Sequence, residues 1–152
     1  MKFLTSIQEL ISYSDLARLL IAFVLALPVG WEREKETRSI GMRTFPLVSL
    51  ASCGYMLIGQ SIVGDDPEAL AKILYGLMTG IGFIGGGAVL KENGSVHGTA
   101  TAASIWNTGA IGAAVAFQRY EIAIALAIVN FGALRIVPTL KKKIIPLDKA
   151  KN

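Results

Sequence analysis

Soft metal ligands are nearly missing: the 152 residues hold one cysteine, Cys53, and one histidine, His97. An intrachain disulfide is thereby excluded, as are metal centres built on sulfur or on a histidine cluster, so any bound cation must take oxygen ligands. Charge is scarce too, at 17% of residues, where an average globular chain carries about 25%. No nucleophile stands beside a base, no cofactor fingerprint occurs, and His97 has no motif partner, which argues against an enzyme. Asp15 and Arg18 precede the first apolar run and no small-x-small site follows it, which argues against a cleavable leader.

What the chain has instead is apolar length. Hydrophobic residues make up 53% and mean hydropathy is +0.53. Apolar stretches run from Leu16 to Trp31, Phe45 to Val63, Ile73 to Leu90, Ala100 to Phe117 and Ile122 to Leu140. Each approaches the length of about 17–25 residues that a spanning helix needs. A soluble helical bundle would require a charged face on most helices. Between Phe45 and Val63 and between Ala100 and Phe117 the polar residues are uncharged, Ser49, Ser52, Gln60, Thr101, Ser104, Asn107 and Thr108, a set suited to hydrogen bonds between helices in lipid. The pattern predicts an all-α polytopic membrane protein of about five transmembrane helices. The first span carries Arg18 and the fifth Asn130 and Arg135, which need snorkelling or protein neighbours.

Five spans put the termini on opposite sides. Lys2, Arg18, Lys72 and Arg119 then share one side and the other 11 of the 15 cations the opposite one. The richer side is cytoplasmic by the positive-inside rule, giving an outside N-terminus and a cytoplasmic C-terminus. Three segments are predicted: an interfacial amphipathic helix over 1–14, in which Phe3, Leu4, Ile7, Leu10 and Ile11 recur at helical spacing; a transmembrane domain over 15–140 with Ser14 as the cap of its first span; and a basic cytoplasmic tail over 141–152. The pI of about 9.3 is explained by these flanks, without nucleic-acid binding.

Two connectors on the cationic side echo one another. Gly41-Met-Arg43-Thr44 matches Gly98-Thr-Ala-Thr101 as Gly-x-x-Thr, which predicts two hairpins of one topology, a parallel repeat plus a fifth span. Thr44, and Thr99 or Thr101, are the expected caps, with Glu32 and Glu92 in the preceding connectors placed to complement the positive helix ends. Between the connectors, the third span holds Gly76, Gly80, Gly82, Gly85, Gly86 and Gly87. Gly76 with Gly80, and Gly82 with Gly86, satisfy small-xxx-small spacing and predict a central, closely packed helix, against neighbours or a second subunit. The competing reading is a helix broken at Gly85-Gly86-Gly87, with freed carbonyls as cation ligands.

Gly30-Trp-Glu32-Arg33-Glu, Gly41-Met-Arg43-Thr44, Gly80-Ile-Gly82-Phe-Ile-Gly85-Gly-Gly87 and Val96-His-Gly98-Thr-Ala-Thr101-Ala-Ala-Ser-Ile-Trp106, in this order, resemble the MgtC/SapB family of bacterial inner-membrane proteins. The resemblance implies a polytopic helical domain associated with adaptation to low magnesium and, in some members, acid tolerance or survival inside host cells. Magnesium transport and regulation of other membrane proteins, such as the proton-translocating ATP synthase or a magnesium transporter, are the two activities it brings. Many longer members continue into a soluble domain, so this chain is expected to be a short member. Ala100 stands where members often have Asn, and Asn107 where some have Cys.

The resemblance and the topology together select Glu32, Arg33, Arg43, Thr44, Glu92 and Thr101 as the candidate cluster. Three readings are open: a solvated connector with local pairs such as Glu34 with Arg38, a buried Glu32–Arg43 ion pair, or Glu32 and Glu92 as oxygen ligands of a hydrated Mg2+. Asn107 and Asn130 are read as interhelical amides, Trp31 as an interfacial anchor and Trp106 as a packing residue. The function expected is that of an oligomeric membrane protein of magnesium-linked stress adaptation, acting on another membrane protein, with cation transport as the alternative.

Overall fold

The computed structural model describes residues 13–36, 40–64, 66–92 and 94–144, without the side chains of Tyr13, Glu36, Glu92 and 141–144. Within these bounds five helices follow one another: α1 Tyr13–Glu36, α2 Thr44–Val63, α3 Pro67–Gly87, α4 Thr99–Ala116 and α5 Tyr120–Ile144. Between α3 and α4 lies a hairpin of β1 Leu90–Glu92 and β2 Ser95–His97, with Leu90 opposite His97 and Glu92 opposite Ser95.

Four helices, α1, α2, α3 and α5, are long and apolar enough to cross a membrane. Their outer surfaces carry Leu20, Val24, Ile62, Phe83, Ile128 and Val129, each more than half exposed. Apolar cover on this scale belongs against lipid, and the chain is a helical membrane protein. The other helix, α4, falls outside that set and is interrupted by Thr101, Ser104, Asn107 and Thr108. It can carry them because it is the centre of the bundle, in contact with all four other helices. Ten of its 18 residues are buried, against two of 21 in α3.

Within one chain that ordering puts α4, not the expected glycine-rich third span, at the centre, and of the two kinds of packing expected for those glycines it bears only on packing against neighbours in the same chain. An added Cβ at Gly76, Gly80, Gly82, Gly86 or Gly87 would meet nothing within 4 Å, and only Gly85 packs closely, 3.1 Å from the Ala102 carbonyl oxygen. Close backbone approach is made on α4 instead. A Cβ at Gly112 would overlap the Ser49 carbonyl oxygen of α2, and one at Gly109 would overlap Ile81 of α3. The signal was the run Ser104-xxx-Thr108-xxx-Gly112, small residues one turn apart. Nor is the third span broken: α3 stays helical through Gly87, and the Gly85 and Gly86 carbonyls accept from the amides of Ala88 and Val89 at 3.0 and 3.1 Å.

The predicted caps are also corrected. Thr44 and Thr99 are the first residues of their helices, after Arg43 and Gly98, neither of which makes a side-chain cap. Thr101 lies inside the first turn of α4, so the two Gly-x-x-Thr motifs sit in different registers and the echo does not extend to equivalent helix starts. Gly98 is required where it is: its φ is +83°, and a Cβ would overlap the Ala88 carbonyl oxygen. A side-chain cap is made by Asp66, which accepts from the amides of Glu68 and Ala69 at 3.0 and 3.3 Å ahead of Pro67. Ser14 lies within α1, the apolar spans of α1 and α5 run over Ser14–Lys35 and Tyr120–Leu140, and the backbone of α5 stays helical through Lys141–Lys143 to Ile144. Residues 1–12 of the interfacial segment and 145–152 of the basic tail lie outside the described residues.

Candidate functional site

The charged stretch after Trp31 is not a solvated connector. Glu32, Arg33, Glu34 and Lys35 are good helix formers, and the two cations fall in the last turn, where they favour the negative end of the helix dipole. α1 therefore runs on through Glu36, and its helical phase turns Glu32 and Arg33 inward, 9% and 7% exposed. Gly30 makes this possible, because a Cβ there would press on Gly41 and Met42 at 3.2 Å. Glu34, on the exposed side, accepts from the Met42 amide at 3.0 Å and ties down the chain entering α2. Arg38, the partner expected for Glu34, lies outside the described residues.

Two contacts define the cluster. The Arg33 guanidinium donates through Nη2 to the Thr101 hydroxyl at 2.6 Å, both residues buried, which joins the end of α1 to the start of α4. The Glu32 Oε2 accepts from Lys35 Nζ at 3.2 Å and from Arg135 Nη1 at 3.1 Å, which joins α1 to α5. Both cations also sit over aromatic rings, Lys35 5.7 Å from the Trp31 centroid and Arg135 6.0 Å from that of Phe131. Trp31 is more than half exposed, as an interfacial anchor would be.

Of the six predicted residues, the structure brings together Glu32, Arg33 and Thr101. Arg43 is exposed and Glu32 pairs with Arg135, so of the three open readings the Glu32–Arg43 ion pair is replaced by a Glu32–Arg135 one. Thr44 is half-buried at the start of α2, on the wall of an apolar groove between α2 and α3. The backbone of Glu92 ends β1 opposite Ser95, and the ligand role of its side chain lies outside what is described. Sequence reasoning missed Arg135 and Lys35 as partners of Glu32. Arg135 was legible only as a charge that needed a protein neighbour, and the neighbour lies 103 residues away.

These charges favour an anion or a structural lock over a divalent cation. Lys35 and Arg135 both bond the Oε2 of the Glu32 carboxylate, and the neighbouring Arg33 is a further buried cation on the same helix end, bonded to Thr101. A hydrated Mg2+ held by one or two carboxylates would have to displace those cations and then sit beside them. Among the described residues no group of three or more His, Cys, Asp or Glu side chains could hold a metal ion.

Deeper in the bundle the polar residues are used in pairs. Ser104 donates to Asn130 Oδ1 at 2.6 Å, and Asn130 Nδ2 donates back to the Ser104 carbonyl at 3.3 Å, bonding α4 to α5. Asn107 Nδ2 donates to the Leu126 carbonyl at 3.3 Å. Both amides are thus interhelical bonds. Trp106 is half exposed, a correction to its expected role as a packing residue.

A model of the MgtC family matches residues 19–143. The chain is 31% identical over 128 residues to YhiD of Escherichia coli (strain K12), named as a candidate magnesium transporter, covering 78% of this chain and 58% of that protein. It is 33% identical over 117 residues to protein SrpB of Synechococcus elongatus, covering 69% and 64%. With protein MgtC of Salmonella typhimurium (strain LT2) identity is 29% over 122 residues, covering 80% and 52%. The chain spans about half to two thirds of the length of these relatives. No solved structure matches it.

Proposed function

The chain belongs to the MgtC family, and from that premise we propose that it serves magnesium-linked stress adaptation in the bacterial inner membrane by binding another membrane protein, without catalysis and without moving the ion itself. The observation that carries this reading is the outward face of α3. That helix is the least buried of the four apolar ones, and five of its glycines have open space where a side chain would stand. Open glycines at one-turn spacing let a second helix approach to backbone contact, which is how helices associate where lipid removes the hydrophobic drive. The same face suits self-association, so the protein is read as an oligomer whose target is a protein such as ATP synthase or a magnesium transporter.

The cation distribution supports an orientation with the Glu32 cluster cytoplasmic, the N-terminus outside and the C-terminus inside. The second reading, cation transport through a site at Glu32 and Glu92, draws on the name given to YhiD. Its obstacle is the cationic surround of Glu32. Liposomes holding purified protein and a magnesium-sensitive dye separate the two. The proposal predicts no flux above empty liposomes, together with a specific protein partner isolated from native membranes whose binding is lost in Gly80→Leu. Magnesium flux abolished by Glu32→Ala would establish transport instead.

A further inference from the structure

α4 touches all four other helices, yet α3 and α5 share few contacts with each other, so the ring around α4 is open between them. The opening is a groove of about 610 Å³ whose walls include Leu77, Ile81, Trp106, Ala110, Phe117 and Arg119. Only Arg119 among its lining residues is charged, and it stands at one end, in the short turn where Gln118 adopts φ +58° between α4 and α5. There Arg119 Nε donates to Glu121 Oε1 at 2.6 Å, with both side chains mostly exposed.

Length decides what fits. From Phe117 to Trp106 the groove follows α4 for about 16 Å at 1.5 Å per residue. A bilayer hydrocarbon core is about 30 Å thick, so the groove is one leaflet deep. A transmembrane helix needs the whole depth, whereas the acyl chain of a lipid whose headgroup lies at Arg119 needs this much and no more. The headgroup end is neutral overall: a guanidinium for a phosphate and a carboxylate for a cation. That arrangement matches a zwitterionic headgroup whose cation can donate hydrogen bonds.

We propose that the groove between α3 and α5 is a binding site for one phospholipid of the primary-amine type, with an acyl chain against Trp106 and Ala110, its phosphate on Arg119 and its ammonium on Glu121. Phosphatidylethanolamine has this chemistry. Phosphatidylcholine keeps the phosphate but has no N–H, and phosphatidylglycerol has no cation. The site is independent of the α3 glycine face and of the function proposed for it.

The test is lipid binding by the delipidated full chain in detergent, counted by native mass spectrometry for each of the three lipids. One phosphatidylethanolamine should be retained, about tenfold more tightly than either competitor, the worth of about one charge-assisted hydrogen bond. Glu121→Gln should erase the preference over phosphatidylcholine, and Arg119→Gln should weaken all three. Ala110→Phe, at an exposed position, should fill the groove and abolish retention while leaving the melting temperature unchanged. In a Trp31→Phe background, phosphatidylethanolamine with brominated chains should quench Trp106 at one equivalent. Equal retention of all three lipids, retention that survives Ala110→Phe, or a second copy of the chain covering Trp106 would each overturn the proposal.

Discussion

Replacing Gly112 by alanine tests the packing account with one methyl group. The added carbon would overlap the Ser49 carbonyl oxygen and crowd the Ser52 Cβ, so α2 and α4 must separate, since a backbone carbonyl cannot rotate away. Overpacking of this kind costs about 1–3 kcal/mol, and the rigid obstacle places Gly112→Ala toward the upper end. Helix propensity returns about 1 kcal/mol when glycine becomes alanine. The net loss is about 1–2 kcal/mol, a drop of about 2–8 °C in melting temperature for a chain of this size. Gly82→Ala is the control, because nothing lies within 4 Å of its Cβ position. With no clash inside the chain to oppose the propensity gain, it should raise the melting temperature of the monomer by about 2–4 °C. Thermal melting of the monodisperse protein in detergent, followed by near-UV circular dichroism, reads both. Shifts of the same sign and size at Gly112 and Gly82 would refute the assignment of α4 as the centre and α3 as the outer helix.

Thr101→Val removes a hydroxyl that accepts from the buried Arg33 guanidinium and should cost about 1.5–3 kcal/mol in the same assay, with Thr101→Ser close to the parent protein. For the Glu32–Arg135 pair, the melting shifts of Glu32→Gln and Arg135→Gln should not add in the double variant, and the coupling should shrink as salt is raised because Arg135 is half exposed. Additive shifts at low salt would remove that pair from the account. Asn130→Leu breaks two bonds to Ser104, and a loss of about 0.6–2 kcal/mol is expected from measured interhelical hydrogen bonds in membranes. A silent Asn130→Leu would mean that the α4–α5 contact rests on packing alone.

Much of the fold was legible because lipid makes simple demands. Long uncharged runs had to be helices, and the sparse charges had to gather at their ends. The hairpin was legible too but overlooked: Asn93-Gly94 between Leu90-Lys-Glu and Ser-Val-His is a strong two-residue turn signal. The order of burial was harder. Glycine content drew attention to α3, yet Gly76 and Gly80 only permit close approach and do not say which neighbour comes. What identifies α4 as the centre is the kind of residue that interrupts it, since Thr101, Ser104 and Thr108 are best placed where other helices replace lipid. At the site, Glu32, Arg33 and Thr101 were found through the motifs they share with a family, while Arg135 was not, because the Glu32–Arg135 contact depends on how α1 and α5 cross. Helix phase also escaped a reading by charge: the Glu32–Glu36 segment looks solvated residue by residue, and only the continuation of α1 turns two of its charges inward.

The outward α3 face as a seat for another protein's helix is the claim from which the proposed function follows. The direct measurement replaces the exposed Phe83, one turn from Gly80 on the same side of α3, by a photo-reactive residue in native membranes, with position 128 of α5, two thirds exposed, as the lipid-facing reference. The account predicts a discrete protein adduct from position 83 alone, lost when Gly80→Leu blocks the same face. Lipid adducts only at position 83, or the same protein captured equally from position 128, would contradict it.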